Sequence, residues 1–129
     1  MKSIVTWFEI PALDFDRCRK FYEYILDVKM HYSEMEGVKH AFFPHEGEAI
    51  GGAIVQEDYL KPDTEGPLVY LNGGENLDTV LNKVEGAGGK VLMPRRLISE
   101  HVGYMAQFLD TEGNRFALYE PIKSAADKA

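Results

Sequence analysis

Glu9 is the residue whose neighbours best suit it to proton chemistry, standing two positions from the indole of Trp7 in Trp7-Phe8-Glu9-Ile10. Residues two apart on a strand share a face, so an acid would lie beside an aromatic ring. A carboxylate in such surroundings must be paired, hydrogen-bonded or protonated, and a raised pKa would suit a general acid or base. The plainer reading is a rim salt bridge to Arg95, Arg96 or Arg115. If Glu36-Gly37 turns a hairpin with Met35 opposite Val38, His31 and His40 form a diagonal pair on one face. With no third ligand, that pair reads as a solvated hairpin surface. His45 and His101 fall in loops, away from it. Cys18 is the single cysteine and reads as a small core hydrophobe with no disulfide to form.

Two similar halves must position these groups. Residues 4–10 are β-branched and aromatic and stop at Pro11, which predicts a strand. Asp14 suits a helix N-cap, and Phe15, Cys18, Phe21, Tyr22 and Ile25 recur at helical spacing up to Leu26. Strands are expected over 28–35, 38–43 and 49–55, followed by a turn-rich connection over 56–67. The second half repeats the order. It has a strand over 68–72, Asn76 as a cap and a stripe of Leu77, Val80, Leu81 and Val84 before the glycines at 86, 88 and 89. Strands over 90–93, 104–109 and 115–120 follow, the last two joined by Thr111-Glu112-Gly113-Asn114 with Asp110 opposite Arg115. Asp14 follows Trp7, and Asn76 follows Val69, by the same seven residues.

The fold class is therefore α+β, with paired βαβββ modules forming a curled mixed sheet around a cleft. One domain is expected over 1–121, with module one at about 1–60, module two at about 66–121, and a polar tail over 122–129.

The strand 7–11 followed by Asp14, Arg17, Phe21 and Tyr22 resembles the first-module signature of the vicinal oxygen chelate superfamily, the glyoxalase, bleomycin-resistance and dioxygenase group. Leu77-Asp78 through Gly88-Gly89, and Phe108-Leu109-Asp110-Thr111-Glu112-Gly113-Asn114-Arg115, resemble the second module. The resemblance implies four inward positions that hold a divalent cation in metal-using members. Here they fall on Trp7, on a residue within Gly51-Gly52-Ala53-Ile54, on Val69 and on Ala117, none of them a ligand. No metal and no other cofactor is expected. With Trp7 at an inward position, Glu9 should join it, and with Ala117 inward and facing Phe108, so should Phe108, Tyr119 and Tyr104. The expected ligand-binding set is Trp7, Glu9, Tyr104, Phe108 and Tyr119, an aromatic box with one carboxylate.

Fourteen basic residues against twenty-one acidic ones give a net charge of -7, which disfavours nucleic acid and anionic membranes as partners. No apolar stretch reads as a membrane span or signal peptide, and a cytoplasmic location is the default expectation. The leading expectation is metal-independent binding of a small molecule, planar or aromatic and open to a cationic one, as in bleomycin-resistance-type proteins, with the homodimer that the resemblance implies. The alternatives are a lyase or isomerase related to lactoylglutathione lyase, with Glu9 and Tyr104 moving protons, and a structural or partner-binding module.

Overall fold

The computed structural model describes residues 3–123, so the end of the expected polar tail lies outside the described residues. The chain runs β1 (Trp7–Pro11), α1 (Phe15–Leu26), β2 (His31–Met35), β3 (Val38–Phe42) and β4 (Gly51–Val55). It repeats that order as β5 (Tyr70–Asn72), α2 (Asp78–Val84), β6 (Lys90–Ser99), β7 (Gly103–Leu109) and β8 (Arg115–Pro121). Sheet one has the order β1-β4-β3-β2 and sheet two the order β5-β8-β7-β6. In each module the first strand lies parallel to the last, and the other pairings are antiparallel. The α+β class with two βαβββ modules is thus what the chain adopts. Neither helix is long and apolar enough to cross a membrane.

Local chemistry sets the helix ends. The Asp14 side chain accepts from the Arg17 N–H at 3.2 Å, and Asp27 ends α1 in a left-handed conformation at φ 52°. Asn76, expected as the cap of α2, lies one residue ahead of the cap position: Leu77 is the N-cap and makes no side-chain cap bond. Asn76 accepts from the Asp78 N–H at 3.0 Å in the preceding turn, and α2 has only seven residues.

Both sheets bury their helix-covered faces in one core. Ile10, Ala41 and Ile54 from sheet one and Ala106, Phe108, Phe116 and Leu118 from sheet two join the apolar faces of α1 and α2 there. Tyr22 of α1 sits among Phe43, Phe108 and Phe116, and its hydroxyl donates to Asp110 Oδ2 at 2.6 Å. Each sheet turns its other face away from this core.

Two buried carboxylates tie helices to distant strands. Glu112 accepts from the Leu13 and Asp14 N–H groups at 2.9 and 2.7 Å and from the Arg17 guanidinium at 2.8 Å. Burial pushes its pKa up, but the hydrogen bonds from Arg17, Asp14 and Thr111 outweigh that and hold it below the ordinary value. Glu120 accepts from Arg95 at 2.8 and 3.0 Å and from the Leu77 N–H at 2.9 Å, and the Arg95 bonds hold its pKa down against burial.

The β7–β8 hairpin differs from expectation by one residue. Leu109 lies opposite Arg115, and Phe108 opposite Phe116. The Asp110 carboxylate is the cause, since it accepts from the Glu112 and Asn114 N–H groups at 2.8 and 2.9 Å and draws the chain into a tighter turn. Gly113, at φ 96°, supplies the left-handed residue such a turn needs. A slip of one position moves every β7 side chain to the opposite face.

Candidate functional site

On sheet one, strand alternation and register assemble the face turned away from the core. Trp7 lies opposite Gly51, while Glu9, Ala53, Phe42 and His31 form one row across the four strands. Trp7 and Phe42 are in ring contact at 5.9 Å, and the His40 ring stacks on Phe42 at 5.7 Å. The imidazole of His45 also reaches this face. A Cβ added at Gly51 would meet His45 Cδ2 at 2.7 Å and the Trp7 ring at 3.0 Å, so both rings close over that glycine. Trp7 is 40% exposed, so part of its indole stays open to solvent beside Phe42 and His45. Glu9 is exposed beside it and, among the described residues, makes no ion pair. The expected bridge to Arg95, Arg96 or Arg115 is absent because Arg95 is bound to Glu120, while Arg96 and Arg115 lie on sheet two.

On sheet two, the outward rows are Tyr70, Ala117, Gln107 and Met93, then Asn72, Tyr119, Met105 and Arg96. Tyr70 is 49% exposed. The Tyr119 hydroxyl donates to the Val102 carbonyl, which fixes the ring over the β6–β7 turn.

The five residues expected to meet in one box are therefore divided. Trp7 and Glu9 share one outward face, and Tyr119 lies on the other. Phe108 and Tyr104 are on the core side, contrary to expectation, because the tighter hairpin reverses their faces. Phe108 is fully buried against Phe21, Tyr22 and Phe116. Tyr104 packs against the core under the Arg95 guanidinium, 3.8 Å from its ring centre. Phe42, His45, Tyr70 and Gln107 were missed. Phe42 and His40 follow from the Met35–Val38 hairpin already expected, whereas Tyr70 and Gln107 depend on strand registers that periodicity leaves open.

The same registers relate the two modules residue by residue. Trp7 opposite Gly51 is repeated as Tyr70 opposite Ala117. Gly51 is thus the counterpart of Ala117, and Tyr70 that of Trp7, while Val69 packs against the core. An indole, a hydrogen atom, a phenol and a methyl group do not fit a divalent cation, which needs several oxygen, nitrogen or sulfur donors at once. Among the described residues, no group of three or more His, Cys, Asp or Glu is placed to hold one. Buried Cys18 has its pKa pushed up by desolvation, then by the Asp110 carboxylate, which leaves it an inert thiol.

Known proteins share this architecture. A fosfomycin resistance protein, FosX, from Listeria monocytogenes superposes with a TM-score of 0.70 at 18% identity, over 99% of this chain and 97% of that one. A glyoxalase/bleomycin resistance protein from Albidiferax ferrireducens superposes at 0.71 with 16% identity, over 92% and 98%. A glyoxalase I mutant from Zea mays gives 0.71 at 16% identity, with 93% of this chain covering 46% of the maize chain. At these identities the likeness is one of fold. No curated protein matches the sequence. Residues 4–118 match the Glyoxalase/Bleomycin resistance protein/Dioxygenase superfamily as a sequence family. With that match spanning nearly the whole chain and both modules in place, the protein belongs to the Glyoxalase/Bleomycin resistance protein/Dioxygenase superfamily.

Proposed function

We propose that this protein binds a planar small molecule without a metal, in a cleft walled by Trp7, Phe42 and Glu9 on sheet one and by Tyr70 and Tyr119 on sheet two. The observation that carries the reading is the set at the four ligand positions. Gly51 and Ala117 give flat floors while Trp7 and Tyr70 stand as exposed rings, so the space a cation and its ligands would take is left to stacking.

The two walls belong to faces turned away from one shared core, so one chain supplies two half-clefts. A cleft closes when sheet one of one copy faces sheet two of another, which makes the working unit a homodimer with two equivalent sites. The aromatic rings support that pairing, with Trp7 and Phe42 on one wall and Tyr70 and Tyr119 on the other. So does an apolar hollow of about 1220 Å³ lined by residues of both modules, Val5, Phe8, Val28, Ile50 and Val69 among them. Ile4, at 91% exposure, and Val5, at 53%, flank it, an apolar surface that a partner would cover. The shared core also supports treating 1–121 as one domain. Bleomycin-resistance-type sequestration is the nearest functional analogy, and a cytoplasmic location suits it.

Thermal-shift screening against planar metabolites and drugs in EDTA tests the reading. Stabilisation lost in Trp7→Ala supports it, and hits that need added metal overturn it. Light scattering should give twice the 14.6 kDa chain mass, and a clean monomer would remove the shared cleft.

One observation favours a second reading, a lyase or isomerase: Glu9 stands exposed and, among the described residues, without an ion pair at the foot of the aromatic wall, as a general base would. Turnover abolished by Glu9→Gln with binding retained would establish it. Tyr104 has no part in this reading, because its ring is held in the core under Arg95.

A further inference from the structure

The β6 strand shifts register between Met93 and Arg96, so three of its residues span two of β7. Alternation sends the two neighbouring arginines to opposite faces, and the extra residue decides which of them faces the core. Arg95 goes to the core side and binds Glu120, while Arg96 goes outward, its guanidinium 4.0 Å from the Met105 sulfur. Arg115 reaches the same face from β8 and donates to Gln107 Oε1 at 3.0 Å. Met105 and Gln107 are successive outward positions on β7, roughly 7 Å apart at two strand rises. The two guanidiniums therefore flank successive outward positions of β7, one from each neighbouring strand. Neither has a carboxylate partner among the described residues, in a chain whose acidic residues outnumber its basic ones by twenty-one to fourteen.

We infer that Arg96 and Arg115 form an anion-recognition subsite, so that the ligand of the proposed cleft is a planar molecule bearing a carboxylate or phosphoryl group. This rests on the aromatic-cleft reading and narrows it. The ring lies over Ala117 between Tyr70 and Tyr119, and its charged substituent extends across Gln107 to the guanidiniums. Arginine suits the task because its planar fork matches the oxygen spacing of both anions. The sulfur neighbour of Arg96 and the amide neighbour of Arg115 are weak or neutral partners, so an arriving anion displaces no ion pair.

Isothermal titration in EDTA and phosphate-free buffer separates the parts, using 2-naphthol, 2-naphthoate, 2-naphthyl phosphate and inorganic phosphate as probes. One or both naphthyl anions should bind about ten- to a hundredfold more tightly than naphthol, as a charge-assisted contact gives. Whichever anion gains more identifies the group. Arg96→Gln and Arg115→Gln should each remove most of that gain, and Lys20→Gln, an exposed site on α1, should leave it intact. Naphthol binding equal to both anions would overturn the inference and leave the aromatic cleft standing. Arginine-dependent binding of inorganic phosphate with no naphthyl preference would keep the subsite and sink the aromatic cleft. No binding by any probe would sink both.

Discussion

Phe108 and Gln107 are adjacent on β7 and should respond oppositely to truncation, because the hairpin register puts one in the core and the other on the outward face. Phe108 is fully buried, with ring centres of Phe21, Tyr22 and Phe116 at 6.1, 6.5 and 6.3 Å. Truncating such a phenylalanine to alanine removes its burial and leaves a cavity, for a loss of about 3–5 kcal/mol. For a domain of this size that lowers Tm by roughly 10–20 °C, a large share of the ~5–15 kcal/mol that holds a typical domain folded. Gln107→Ala gives up only the exposed 3.0 Å bond from Arg115, and its cost should stay under about 1 kcal/mol. Thermal and urea unfolding followed by circular dichroism measures both, with unchanged urea slopes confirming that stability alone has moved. If Gln107→Ala matched Phe108→Ala, or Phe108→Ala unfolded at the wild-type temperature, β7 would be one residue out of place and the assignment of both walls would fail.

Other outcomes follow from the same geometry. Glu112→Ala leaves the Leu13 and Asp14 N–H groups without their acceptor and should cost about 3 kcal/mol in urea unfolding, at ~1–3 kcal/mol for each stranded donor. Glu112 and Glu120 both have folded pKa values held below the ordinary 4.5. Their stabilisation is full above that pH and is lost as pH falls through the depressed folded values, so Tm should drop between about pH 5 and 3 and drop less steeply in Glu120→Gln. A Cβ at Gly52 would lie 2.3–2.5 Å from the Phe8 ring, so Gly52→Ala should cost about 1–3 kcal/mol by overpacking, read as a lowered Tm. Trp7 is the single tryptophan and is 40% exposed, so its emission should start near that of a partly hydrated indole and change on addition of any ligand the cleft accepts.

Much of this was legible in the residues. The α1 stripe and its Asp14 cap lie where the spacing puts them, the Met35–Val38 hairpin forms as its turn requires, and the strand-helix-strand order repeats. Trp7 and Glu9 share an outward face because period-two alternation on one strand needs no partner to be known. What failed was register between strands. The site residues on β7 turned on whether the loop after Leu109 was tight or wide, and a buried carboxylate decided that through hydrogen bonds absent from any hydrophobic pattern. Val69 was mistaken for the counterpart of Trp7 because cap spacing transfers between modules only to within a residue. The sequence places a strand over 90–93, yet β6 runs for 10 residues, through Pro94, with register shifts. Those shifts decide which of Arg95 and Arg96 faces the core.

The proposed cleft works without a cation. Its most direct test is elemental analysis of the purified protein after equilibration with nickel, zinc, manganese and iron and removal of free ions. The residues at the four positions predict far less than one ion retained per chain. One ion per chain, lost on exchanging Glu9 or a histidine of sheet one, would contradict it.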